Sequence, residues 1–307
     1  MKRHNSLSRR DFLVRMTATA SALPLSTVSS AFGATPSGPR SKIIGFSKPF
    51  QKLTFEETAD VVAQVGWDGI ECPVRQKGQV LPERVEDDLP KLVQALHKKN
   101  VELQIAVTDI RNTKDPLTEK VLRTAGKLGI KFYRLAHLSY DRVKPLPAQL
   151  NEIRAELRDL HALNKDLGLC ALYENHTGAD SVRAAVWDMY ELLKDFDPKY
   201  FGICFDIGHA TIEGGMAWPT NFRLIQPLLR SVYVKDFAWK KTGASWNAEW
   251  CPLGEGMVNK SFFQSLKKSS FNGPIVQHHE YPVGAGAQMV NLMKKDLATL
   301  KDWLAVA

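Results

Sequence analysis

Long hydrophobic runs are missing from this chain. No stretch of 18 or more apolar residues occurs, which excludes a transmembrane helix. No dense Lys/Arg run occurs either, so nucleic-acid binding is not indicated despite a formal net charge of +8. GxGxxG is absent, which counts against a doubly wound dinucleotide-binding sheet. Cysteine is scarce: Cys72, Cys170, Cys204 and Cys251 form no CxxC pair and offer no lipobox-like site near the N-terminus. Three of them lie in or beside apolar strand-like runs, so buried free thiols are expected.

Much of the basic charge sits at the start. Ser8-Arg9-Arg10-Asp11-Phe12-Leu13 follows Lys2 and Arg3 and precedes an Ala/Ser/Thr/Leu stretch reaching Ala34. That pattern reads as a twin-arginine export signal cleaved near Gly33 or Ala34, and it predicts a periplasmic or otherwise exported protein. Residues 1–34 carry a net +4, so the mature chain keeps about half of the excess. Residues 35–41 read as a linker, and residues 42–307 as one domain.

Within that domain, strand-like and helix-like patterns alternate eight times. Glycines at 66, 129, 168 and 273 stand between helix ends and the next strand, as a helix C-terminus requires. Eight βα units in about 270 residues predict an α/β fold, a single (β/α)8 TIM barrel. The strands expected to matter for function span 169–174, 201–206, 231–236 and 274–280. A helix is expected over 181–196 and a short one over 222–230, with a long loop over 237–258.

Those strands end in charge. Glu71 ends WDGIE, Glu174 ends LCALYE, Asp206 and His209 lie in FDIGH, Lys235 and Asp236 end SVYVKD, and Glu280 ends GPIVQHHE. A buried strand does not end in an unpaired carboxylate without a cost of several kcal/mol. Acids at one polarity of a parallel sheet therefore imply a shared pocket at the carboxyl edge, where barrel active sites sit. Strand parity allows the acids at 174, 206 and 280 to converge. It puts Tyr233 and Lys235 on one face and Asp236 on the other. Three close carboxylates repel unless a cation neutralises them, and a divalent metal is one such cation.

FDIGH, VKD and PLGEG, in this order and with Glu174 and Glu280, resemble the xylose-isomerase-like barrel superfamily in its sugar phosphate isomerase/epimerase branch. The resemblance implies that Glu174, Asp206 and Glu280 bind a divalent metal, Mn²⁺ foremost, with Mg²⁺, Co²⁺ or Zn²⁺ as alternatives. It implies that Glu174 and Glu280 are also the acid/base pair and that His209 contacts substrate oxygens. Lys235 is expected to stabilise an enolate oxygen. The family's metal-binding histidine two residues before that lysine is Tyr233 here. His278, and after it His176, are then the expected nitrogen ligands by parity. Substrate contacts are expected from His176, His209, Glu71, Tyr233 and Trp239, with a salt bridge from Glu71 to Arg75 as the alternative reading of that acid.

The expected activity is isomerisation or epimerisation of a small carbohydrate by proton transfer beside a carbonyl. Export favours a non-phosphorylated sugar or keto-sugar. Two other readings stay open: a lyase eliminating from 3-keto-glycosides with Tyr233 as acid, and a non-catalytic sugar-binding barrel. No nucleic acid, no membrane insertion and room for a homo-oligomer complete the expectation.

Overall fold

A computed structural model describes residues 41–307; the expected export signal and most of the expected linker lie outside the described residues. Eight parallel strands close into a barrel in the order β1, β10, β7, β6, β5, β4, β3, β2. They are β1 (Ile43–Phe46), β2 (Gly69–Pro73), β3 (Glu102–Val107), β4 (Phe132–Arg134), β5 (Cys170–Glu174), β6 (Phe201–Asp206), β7 (Leu229–Val234) and β10 (Ile275–Gln277). The ring shuts where β1 pairs with β10, Ile44 opposite Val276.

Helices α1 (Phe55–Val65), α2 (Val85–His97), α3 (Pro116–Lys127), α4 (Leu146–Leu167) and α5 (Val186–Leu193) cross back between the first six strands. Local sequence explains their ends. Thr54 accepts from the Glu57 N–H while the Glu57 carboxylate takes the Thr54 N–H, a capping box that fixes the start of α1. Gly66 and Gly168 end α1 and α4 at φ +89° and +67°, a conformation that a side chain would disfavour.

Strand alternation sorts the apolar residues into two cores. Ile44, Phe46, Ile105, Val107, Cys170, Leu172, Cys204, Tyr233 and Val276 fill the barrel interior. The opposite faces pack against the helices, for example Tyr173, Phe205 and Val232. Fully burying one such side chain stabilises by about 1.5–3 kcal/mol. Extending the inward-facing set by two residues at the carboxyl ends of β5, β6 and β7 reaches Glu174, Asp206 and Lys235. The site therefore rests on the barrel's own packed floor.

Three elements differ from expectation. The residues after β6 form an additional helix, α6 (Ile207–Gly214); the short helix expected over 222–230 begins earlier, as α7 (Trp218–Ile225), and β7 starts at Leu229. Asp206 starts α6, because its Oδ1 accepts the His209 N–H at 2.9 Å and caps it. The expected loop over 237–258 folds largely into an antiparallel hairpin, β8 (Asp236–Thr242) with β9 (Ser245–Cys251). Its two-residue turn puts Gly243 at φ +62°, the first turn position at which glycine is favoured. Finally, β10 stops at Gln277, so His278, His279 and Glu280 emerge beyond the ladder. Helices α8 (Ser261–Lys268) and α9 (Gly286–Val306) complete the ring.

Asp236 holds the segment that follows the hairpin. Its carboxylate accepts the N–H groups of Phe237, Gly254, Gly256 and Val258 at 2.9 to 3.1 Å. A Cβ on Gly256 would lie 2.3 Å from Asp236 Oδ1 and from the Phe237 carbonyl, so the second glycine of LGEG is a steric requirement. Glu255 turns outward to Lys295 at 2.7 Å and takes no part in the barrel mouth.

Candidate active site

Lys235 is the hub of the barrel mouth. Its side chain is 2% exposed, and Nζ lies 3.1 Å from Asp206 Oδ2, 3.0 Å from Glu280 Oε1 and 2.7 Å from His209 Nε2. Burial alone would lower its pKa, but Asp206, Glu280 and Glu174 outweigh that and raise it. The group is therefore an ammonium with no acceptor capacity, which makes His209 Nε2 the acceptor. Burial and the neighbouring Lys235 hold His209 well below the usual imidazole range, so the ring is neutral.

Glu174 lies beside this hub. Arg134 Nη1 and Arg183 Nη1 both donate to its Oε2, at 2.8 and 3.2 Å. No hydrogen bond falls on Oε1 among the described residues. Burial would raise the Glu174 pKa, but Arg134 and then Arg183 outweigh it and hold the carboxyl far below the usual range. Glu280 is also lowered: burial opposes, while His278 and Lys235 prevail. At 24% side-chain exposure, Glu280 is the most accessible acid of the group.

Beneath them sits a second layer. Glu71 is fully buried and accepts from the Tyr233 hydroxyl and from His278 Nε2 at 2.8 Å, with Arg134 Nε 3.8 Å away. His278 stacks on Phe46 at 4.6 Å and lies 3.7 Å from Glu280 through Nδ1. Burial would lower the His278 pKa, but Glu280 and Glu71 outweigh it and raise it.

Several expectations are thereby corrected. Glu71 pairs with Tyr233 and His278, and no ion pair to Arg75 forms among the described residues. Tyr233 is enclosed, with its hydroxyl spent on Glu71 and its pKa pushed well above the usual value by burial and Cys204, so it is not placed to protonate a leaving group. Glu71 and Tyr233 thus line the floor and present no free face to a substrate. Trp239 lies on the hairpin at 44% exposure, edge-on to Phe237 at 5.7 Å. Trp250 approaches instead, with Lys235 Nζ 4.5 Å from its ring centroid and His209 edge-on at 5.1 Å. Pairing of β8 with β9 sets Trp250 opposite Phe237 beside the hub. Arg134 and Arg183 were missed, although Arg134 ends β4 as the acids end their strands.

His176 does line the site, its ring centroid 3.9 Å from that of His209. His279 takes the opposite parity to Glu280 and packs on Trp67 at 5.8 Å near Asp296.

Charge compensation also differs from expectation. Arg134, Arg183 and Lys235, with His278 Nε2 on Glu71, offset most of the charge of Glu71, Glu174, Asp206 and Glu280, so the acids do not by themselves demand a metal. The donor set nevertheless fits one. Glu174, Asp206 and His209 each bring one ligand atom within 4.8 Å of the others, and two carboxylates with an imidazole suit a divalent ion. Asp206 Oδ2 is buried without a hydrogen bond, since its Lys235 contact has the distance but not the geometry. The nitrogen of this set is His209 rather than His278 or His176. Glu280, expected as a ligand, pairs with Lys235 and His278. A metal held through His209 Nε2 and Asp206 Oδ2 would have to displace Lys235 from both.

The xylose isomerase-like TIM barrel family profile matches residues 59–303. No curated protein matches the chain. Among solved structures, 3-keto-D-glucoside 4-epimerase from E. coli is 16% identical with a TM-score of 0.65, the match covering 86% of this chain and 100% of that one. D-psicose 3-epimerase from Clostridium cellulolyticum H10 is 13% identical with a TM-score of 0.66, covering 86% and 99%. A xylose isomerase-like TIM barrel protein from Mycobacterium smegmatis in complex with magnesium is 15% identical with a TM-score of 0.62, covering 86% and 98%. At these identities the likeness shows the fold.

Proposed function

This chain belongs to the xylose isomerase-like TIM barrel family, and we propose that it is a sugar isomerase or epimerase working by proton transfer beside a carbonyl on a non-phosphorylated sugar or keto-sugar. One observation carries the reading: a buried ammonium, Lys235, stands within 3.1 Å of two carboxylates and an imidazole at the barrel mouth. The epimerase activities of two of the similar structures agree with it.

The roles follow from position. A substrate C=O entering over Trp250 meets Lys235, whose three N–H donors can stabilise the enolate oxygen as charge develops. Glu280 is ionised and accessible, and it takes the proton from the adjacent carbon. As Lys235 turns from Glu280 toward the substrate oxygen, Glu280 loses its neutralising partner and becomes a stronger base. Glu174 Oε1, free of hydrogen bonds, is the second proton carrier, held in place by the two arginines on Oε2. Neutral His209 and His176 supply hydrogen bonds to substrate hydroxyls. A divalent ion on Glu174, Asp206 and His209 would polarise the carbonyl as a Lewis acid.

The test is exchange of the carbon-bound proton into deuterated water by NMR, over a panel of ketoses and 3-keto-glycosides. Wild type exchanges label into substrate and product, and Glu280→Gln lowers the exchange rate at least 100-fold. Turnover without solvent exchange in any panel member, as hydride transfer would give, refutes the proposal.

A further inference from the structure

Next to the hub, on the far side of Arg134 and Arg183, lies a cavity of about 200 Å³ with an unusual wall. It is lined by Arg75, Arg111, Arg134 and Arg183, together with His137 and Asp109. The four arginines come from different segments: the turn after β2, the loop after β3, the end of β4 and the segment after β5. Arg134 and Arg183 are each 7% exposed. Both already donate to Glu174, and Arg183 Nε also bonds His137 Nδ1 at 3.1 Å. Neither Arg75 nor Arg111 has an acid within ion-pair distance or a side-chain hydrogen bond among the described residues. Four guanidiniums thus face three carboxylates, Asp109 on the wall with Glu174 and Glu71 behind it. The surplus is about one positive charge in a small recess separated from the hub by Arg134 and Arg183.

Like charges so arranged repel, and folding tolerates them only at a cost. The strain shows in neighbouring groups. His137 is held below the usual imidazole range by burial, Arg183 and Arg111, and Arg75 is lowered by burial and Arg134. An anion relieves all of these at once, and guanidinium forks bind planar oxyanions in a bidentate manner.

We propose that this cavity is a subsite for a carboxylate carried by the substrate, so that the enzyme acts on a sugar acid. This rests on the function proposed above and narrows it. Arg134 and Arg183 line the recess and also hold Glu174, so a carboxylate bound there would lie one guanidinium away from the proton carrier. Carboxylate is chosen over phosphate because the export signal expected from residues 1–34 favours non-phosphorylated metabolites.

The experiment is an NMR titration of arginine-¹⁵N-labelled mature protein at constant ionic strength, reading the Nε–Hε resonances of Arg134 and Arg183. The probes are glycolate, inorganic phosphate and glycerol. The expected result is saturable shifts with glycolate, none with glycerol, and at least tenfold weaker glycolate binding in Arg75→Gln/Arg111→Gln. The Arg75→Lys/Arg111→Lys protein should recover part of the loss, because it keeps the charge. Absence of saturable glycolate binding, or equal affinity in wild type and the Gln variant, overturns the proposal. Phosphate bound more than tenfold tighter than glycolate reassigns the recess to phosphate and overturns the carboxylate. The titration involves no turnover, so a failed exchange assay and a failed subsite remain separate results.

Discussion

Replacing Lys235 by Met tests the hub directly. Met preserves most of the buried volume but removes the ammonium that Asp206 and Glu280 share at 3.1 and 3.0 Å. Breaking a buried ion pair from one side costs about 3–5 kcal/mol, because the remaining charge has lost its partner. Glu280 is partly exposed and can rehydrate, so the lower figure applies, about 3 kcal/mol. For a domain of this size that lowers Tm by about 5 °C. The same change frees His209 Nε2 and Asp206 Oδ2 together, the two ligand atoms that Lys235 holds. Lys235→Met should therefore bind a divalent ion more tightly than wild type. A Mn²⁺ concentration 100-fold above Kd should return about 2.7 kcal/mol, most of the loss. Differential scanning fluorimetry of both proteins, metal-stripped and then titrated with Mn²⁺, Mg²⁺ or Zn²⁺, reads stability and affinity together. A variant as stable as wild type, or one with no gain in metal affinity, would refute the reasoning that Lys235 holds the charge balance of the site.

Other outcomes follow from the same geometry. Tyr233→Phe removes a buried donor to Glu71 and should cost about 1–3 kcal/mol in urea unfolding, with KM unchanged if the tyrosine lies beneath the substrate and not against it. Asp236→Ala unties four backbone N–H groups, so amide hydrogen exchange at Gly254, Gly256 and Val258 should rise at least tenfold. Burial pushes Asp296 from the ordinary 3.8 up to about 6, against the Tyr281 hydroxyl bond. The native state then binds more protons than the unfolded one between about pH 4 and 6, so stability falls as pH rises through that window. Asp296→Asn should abolish this slope and stabilise the protein at pH 7.5 by on the order of 2 kcal/mol; a slope surviving in the variant would place its origin elsewhere. Trp250→Ala should raise KM far more than Trp239→Ala, since only Trp250 touches Lys235 and His209.

What the sequence determined by itself was periodic or local. Apolar runs of strand length, alternating with capped amphipathic helices and ended by glycines, specify eight βα units without reference to anything distant. Period-two alternation then decides which residues point inward, which is why Glu174, Asp206 and Lys235 could be aligned from sequence. Tertiary structure alone decided who neutralises whom. Arg134 and Arg183 reach Glu174 across 40 and 9 residues, and Tyr233 reaches Glu71 across 162. No local pattern encodes such pairings, because they depend on which strands the barrel makes neighbours. The metal inferred from converging acids was therefore an inference from half of the charges. The chain's own cations came from elements whose sequence gave no sign of where they would point. The same holds for His209, whose place beside Asp206 and Glu174 depends on a helix that Asp206 starts and on a lysine that a different strand delivers.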